Sequence, residues 1–323
     1  MIALDQEQVL EDVLSNTQQV TRVIRLLSSR LAIPVLRGLP SDRLCLRTIG
    51  WLHAAHPETV DYPPAFGDGP VAIWPFLDFA PIYFFPCIEQ RGLLYQPLFF
   101  HEFGHLLYAC HKAEMDDLVG ELQTGIGEVL TPASQCNDRH SETQIAQRQV
   151  IVDTWYSWAQ EIFCDAVGFS VGGPCFLHAF SAFLSTMDRG DFYRHPQDLR
   201  MSDHPVTWLR VRFLVERACA AGFSELSKRI ETEWRKVAKI MGVDEDYHGF
   251  YDEAMAPTIK RIVDDMLIEA APRRCTDVEA TGGEWNSEAD SFVRLLNWAW
   301  QVYGVSPEEY ASWESMQLEL LLR

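Results

Sequence analysis

A chain of 323 residues with 47% hydrophobic content can bury a substantial core and has room for more than one domain. Its net charge of −19, from 27 basic and 46 acidic residues, repels phosphate backbones and anionic lipid headgroups, so neither nucleic acid nor membrane is expected as a partner. Eight cysteines without a Cys-x-x-Cys pair, and no basic-then-apolar leader after Met1, point to free thiols in a reducing cytoplasm.

Helical periodicity opens the chain. Val9, Leu10, Val13, Val20, Val23, Ile24 and Leu27 recur at helical spacing between Asp5 and Leu31, and Pro34 is expected to end that helix. Leu44 to Ala55 forms a shorter helix or strand. His56-Pro57, Tyr62-Pro63-Pro64 and Gly67-Asp68-Gly69-Pro70 mark a loop-rich connection. The apolar run from Val71 to Ile88 contains Pro75, Pro81 and Pro86 as well as Asp78. Interior prolines break a membrane-spanning helix, so the run predicts short strands over Ile73 to Phe76 and Pro81 to Phe85.

The next segment carries chemistry. His101-Glu102-Phe103-Gly104-His105 puts two imidazoles four residues apart, one above the other on a helix face. Both can reach one metal ion, and Glu102 can reach a water in the ion's open position. Pro97 starts this helix, and Leu98, Phe99, Phe100, Phe103, Leu106, Leu107 and Tyr108 predict that it is buried. Gly120 to Glu142 is polar and glycine-containing and predicts a mobile excursion over the cleft.

A long helix from Ser141 to Phe169 then carries Glu161 and Asp165, an i, i+4 acidic pair among Trp158, Ile162, Phe163, Ala166 and Val167. Two acids in apolar surroundings need partners. A metal supplies one for Glu161, and the free N–H of a ligating histidine supplies one for Asp165. A surface acidic pair on an ordinary amphipathic helix is the alternative. Further helices are expected from Cys175 to Met187, from Asp203 as N-cap to Ala220, and over Ser224 to Met241, Tyr251 to Ala270, Ser287 to Val302 and from Ser306 onward. The proposed organisation is a helical region (1–69), a core (70–221) and a C-terminal helical region (222–323).

His-Glu-x-x-His followed by Glu-x-x-x-Asp on a later helix resembles the gluzincin pattern of thermolysin-like peptidases. His101, Glu102, His105, Glu161 and Asp165 match it. The long gap before Glu161, and His204-Pro205 with Arg210 downstream, look more like the HtpX and CAAX-prenyl-protease branch. That branch is usually membrane-embedded, which this chain does not resemble.

The resemblance implies a mainly α (α+β) fold with a zincin-like core and a small sheet beside the metal helix, whose edge strand binds substrate backbone. It implies Zn²⁺ on His101, His105 and Glu161, with Glu102 as general base and Asp165 behind a ligand histidine. His204, or more weakly Tyr156, would stabilise the oxyanion. The substrate would be a protein or peptide, and a regulatory partner or inhibitor is left open. A peptidase fold that keeps its metal as a silent sensor or scaffold is the alternative. His53 and His56 could form a second metal site, against simpler packing roles. His111 points off the ligand face, and Arg210 and Arg212 are expected to pair with the chain's excess acids rather than with a substrate carboxylate.

Overall fold

The computed structural model describes residues 2–323 except 38, 40–41, 60, 76–78, 87–90, 132–141, 187–195, 201, 243–245 and 288–289. Helices dominate, with one small three-stranded sheet. Among the described residues, no helix is long and apolar enough to cross a membrane.

The first helix, α1, covers Ile2–Leu26. It does not end at Pro34 as expected. A wider π-helical turn, Leu27–Ala32, leads into a four-residue helix, Ile33–Leu36, that takes Pro34 into its first turn. Proline is tolerated there because the first-turn amides have no helical partner. Helix α2 is Arg43–Ala54.

Strands β1 (Ala65–Asp68), β2 (Ala72–Trp74) and β3 (Ile82–Phe85) follow, in the order β1-β3-β2. β3 runs parallel to β1 and antiparallel to β2, with Phe66 opposite Tyr83 and Ile73 opposite Tyr83 on its other side. Two of these strands match expectation, although Phe76 lies outside the described residues. β1 falls where a loop was expected, because four residues around Gly67 are too short to show a period of two.

Helix α3 (Leu98–Cys110) is buried on nearly every face, and β2 packs against it. Helix α4 (Lys112–Val129) corrects the expectation of a mobile excursion from Gly120. Its buried residues Met115, Val119, Leu122 and Ile126 form a helical stripe against α5 and α9. Gly125 belongs to this packing rather than to a break, since a Cβ there would lie 2.8 Å from Thr258 Cγ2. The second half of that excursion, 132–141, lies outside the described residues.

Helix α5 (Glu142–Gly172) is the central element and touches α3, α4, α6 (Pro174–Leu184), α7 (Thr207–Ala220), α9 (Ala256–Ala270) and α10 (Phe292–Val305). From Trp155 to Val171 its apolar side chains are buried all round, as a core helix requires. Helices α8 (Ser224–Met241) and α11 (Pro307–Leu321) pack on α7 and α10. One apolar cluster runs from Leu44 to Leu321 through all these layers.

The start of α7 differs from expectation. Asp203 does not cap it and Pro205 stays outside, because the chain bends at 203–204. Ser202 Oγ donates to the His204 carbonyl at 2.6 Å and accepts from the His204 amide at 3.3 Å, which holds that bend.

Candidate metal centre

Among the described residues, helices α3 and α5 form the most extensive helix–helix contact. Where they meet, the first contributes His101 and His105 and the second contributes Glu161. One ligand-capable atom from each lies within 4.8 Å of the other two. His101 Nε2 is 3.5 Å from Glu161 Oε2, and His105 Nε2 is 3.4 Å from Glu161 Oε1. The two imidazoles stand edge-on, 5.1 Å apart. Glu102, between them in sequence, is also buried.

The back of the cluster is sealed. Asp165, one turn beyond Glu161, brings Oδ1 to 2.8 Å from His101 Nδ1. Arg210 of α7 donates two hydrogen bonds to the Asp165 carboxylate, Nε to Oδ2 at 2.9 Å and Nη2 to Oδ1 at 2.7 Å. The same Nη2 comes within 3.1 Å of Glu161 Oε2, at an angle that leaves this buried oxygen without a proper hydrogen bond. Phe180 of α6 is a shared platform, stacked 5.5 Å from His101 and 4.8 Å beneath the Arg210 guanidinium. The front is open: the His105 side chain is 25% exposed and that of His204 is 56% exposed. His204 Nε2 stands 3.6 Å from Glu161 Oε1, on the solvent side.

Burial and charge divide these groups. Burial disfavours charge on His101, but Asp165 and Glu161 outweigh it and hold its pKa up at about 10. Burial pulls His105 down to about 4. It pushes Glu102 up to about 7, against the opposing pull of His101. For Glu161, burial acts upward, but Arg210 and the two histidines prevail and hold it well below the usual carboxylate range.

A metal fits this arrangement. Two neutral-capable imidazoles and one carboxylate with an under-bonded oxygen converge, and one side is open to solvent. This is a three-ligand donor set with room for a fourth.

The other candidates fall elsewhere. The Tyr156 hydroxyl donates to Asp116 at 3.0 Å and accepts from Lys112 at 3.2 Å, which ties it to α4 rather than to this cluster. His53 and His56 are buried packing residues. His53 pairs with the Thr59 carbonyl and the Tyr83 hydroxyl, and His56 with the Leu52 carbonyl and the Arg273 amide. His111 pairs with Glu269, and Arg212 with Glu216 and Glu253. Six cysteines, 45, 110, 164, 175, 219 and 275, are free thiols. Cys87, Cys136, His140 and His195 lie outside the described residues.

Sequence reasoning did not reach Phe180, which has no motif around it, nor the role of Gly104 inside the motif. A Cβ on Gly104 would lie 2.8 Å from Cys164 Cα, so its glycine lets the two helices approach closely enough for Glu161 to meet the histidines. The central glycine between two helix-borne histidines was the available signal. Compared with known proteins, the chain matches no family model, no curated protein and no solved structure.

Proposed function

We propose that this chain is a zinc-dependent endopeptidase of gluzincin type, acting on a protein or peptide substrate. The observation that carries this reading is the convergence of His101, His105 and Glu161 within 4.8 Å, beside a buried Glu102. Those three side chains would hold the zinc. The ion, when bound, supplies a water of lowered pKa and a Lewis acid for the scissile carbonyl.

The chain's own residues would do the rest. Glu102, whose pKa burial brings to about 7, takes a proton from the attacking water at its carboxylate and returns it to the leaving amine. His204, on the open side, donates to the carbonyl oxygen as negative charge develops there. Asp165, itself gripped by Arg210, faces Nδ1 of His101 and directs Nε2 toward the cluster. Among the described residues β2 pairs only with β3, and it packs on α3. Its outer edge is the place for an extended substrate to add as a strand.

The test is metal content of the purified wild-type and Glu102→Gln proteins, each incubated with a mixed-peptide library. One zinc in each, with cleavage by wild type alone, supports the peptidase and its base together. Zinc in both without cleavage favours a silent metal-retaining scaffold. No zinc in either removes the proposal.

A further inference from the structure

Phe180 reaches the candidate metal centre from α6, a helix that contributes none of the three converging ligand side chains. The turn between α5 and α6 pins the two helices together. The Gly173 amide donates to the Phe169 carbonyl at 2.8 Å, and Gly173 takes a positive φ of 61°, which glycine adopts without strain. Asn297 of α10 clamps both sides of that turn. Its Nδ2 donates to the Gly172 carbonyl at 3.1 Å, and its Oδ1 accepts from the Cys175 amide at 2.8 Å. Phe176 packs against α5 at Gly168, where a Cβ would stand 2.4 Å from the Phe176 Cε2. One turn further along α6, Phe180 stacks on Phe176 with ring centroids 5.1 Å apart and planes 18° from parallel.

The buried Phe180 ring carries two members of the cluster. His101 stacks on it at 5.5 Å with 25° between the planes, and the Arg210 guanidinium carbon lies 4.8 Å from its centroid. An aromatic face attracts both partners, a flat ring by stacking and a guanidinium by its charge. His101 needs such a support. Asp165 Oδ1 stands 2.8 Å from its Nδ1, yet Nδ1 has no well-aligned hydrogen bond, so this contact alone leaves the imidazole free to tip. Tipping toward Phe180 meets a packed ring, and tipping away opens a gap. A close-packed interior resists both. His105 stands edge-on to His101, at 87°, and does not offer a parallel face.

We propose that Phe180 is a positioning residue of the metal centre, whose face fixes the tilt at which His101 presents Nε2 and so sets the geometry and affinity of the site. This rests on the reading of His101, His105 and Glu161 as metal ligands. The same ring steadies Arg210, whose guanidinium grips Asp165 behind His101. Phe180 therefore acts on the ion only through His101 and its support. Groups that orient a ligating histidine change metal affinity by about 10–100-fold. A face that supplies no hydrogen bond belongs at the lower end, about tenfold.

The experiment compares full-length wild type, Phe180→Leu and Phe176→Leu. Zinc affinity is read by competition with a chelator, and ligand geometry by the visible absorption of the Co²⁺-loaded protein. Phe176→Leu is the packing control, since it removes a buried ring of the same stack one turn further from His101. Phe180→Leu should bind zinc about tenfold more weakly and shift the cobalt bands. Phe176→Leu should keep the wild-type affinity and spectrum, although denaturant unfolding shows it destabilised to a similar degree. Should Phe180→Leu fail to fold, Phe180→Met fills the space with a flexible chain and gives the same reading. Wild-type affinity and spectrum in the Phe180 variant overturn the proposal, and so do equal losses in the Phe180 and Phe176 variants. A wild type that binds neither ion removes the metal reading itself and this proposal with it, a failure distinct from a zinc-binding wild type with an indifferent Phe180.

Discussion

Gly104 of α3 lies directly against the α5 backbone at Cys164, where a Cβ on the glycine would stand 2.8 Å from the Cys164 Cα. Flexible side chains can yield to a new methyl group, whereas a helix backbone must move as a body. Gly104→Ala is therefore expected to destabilise the protein by about 1–3 kcal/mol, in the range of core overpacking. It should also lower zinc affinity, because pushing α5 outward carries Glu161 away from His101 and His105. Denaturant unfolding and competition with a zinc chelator check both effects. A fully stable variant with native affinity would mean that the helices tolerate separation.

The pair of Arg210 and Asp165 is the second test. Both are buried, and the guanidinium donates two hydrogen bonds to the carboxylate. Removing one member leaves the other uncompensated, so Arg210→Met and Asp165→Asn should each cost about 3–5 kcal/mol. The double variant should cost clearly less than the two single costs added together. Strict additivity in the unfolding free energies would rule out the coupling. Asp165→Asn should in addition weaken metal affinity about 10–100-fold through its loss behind His101.

Much of this centre was legible in the sequence, and the reason is local. The spacing of His101 and His105 fixes their common face within one helix, and the same holds for Glu161 and Asp165. Joining the two helices required only that buried acids find partners. What was not legible depends on distant packing. Phe180 reaches the cluster from α6, and Tyr156 turns to Asp116 on α4. From Gly120 to Val129 the expected excursion is helix instead, and Gly125 there serves close packing against Thr258, a use that composition alone cannot separate from a break. The bend that presents His204 rests on Ser202, although Asp203-His204-Pro205 reads more naturally as a helix start.

Glu102 gives a pH prediction whose sign follows from its environment. Burial raises its folded pKa from 4.5 to about 7, so the folded state holds this proton more tightly than the unfolded chain does. The associated stability is present below pH 4.5 and is lost as pH rises through 7. Glu102→Gln keeps a neutral side chain at every pH. In metal-stripped protein it should be more stable than wild type at pH 8, by up to about 3 kcal/mol. The difference should shrink as pH falls toward 5. Unfolding curves of both proteins at the two pH values decide it, and a difference independent of pH would contradict the assignment.

Zinc uptake should release protons. His101 has its folded pKa raised to about 10, and it must be neutral at Nε2 to bind a metal. At pH 8, binding is expected to release about one proton. Calorimetric titration in two buffers of different ionisation enthalpy measures this directly. Identical apparent heats in both buffers would exclude His101 as a protonated ligand.

His204 separates binding from chemistry. If it stabilises developing charge on the substrate oxygen, His204→Ala should lower kcat by about 10²–10³-fold while leaving zinc content intact. A rise in KM at unchanged kcat would make it a substrate-binding residue instead. Lost zinc would place it among the ligands, since its Nε2 lies 3.6 Å from Glu161 Oε1, nearly as close as His105 Nε2 at 3.4 Å.

The alternation of His101, Asp165, Arg210 and Glu161 around one buried point has a consequence for how such a protein is made. With His101 protonated, two positive and two negative groups neutralise one another, so the pocket needs no dication to balance its acids. Folding and loading are therefore expected to be separable events. A chain synthesised during metal scarcity would reach its native shape, persist in the cell, and gain activity later, when the ion displaces a proton. Metal supply would then set how much of the population is switched on, while leaving the size of that population untouched.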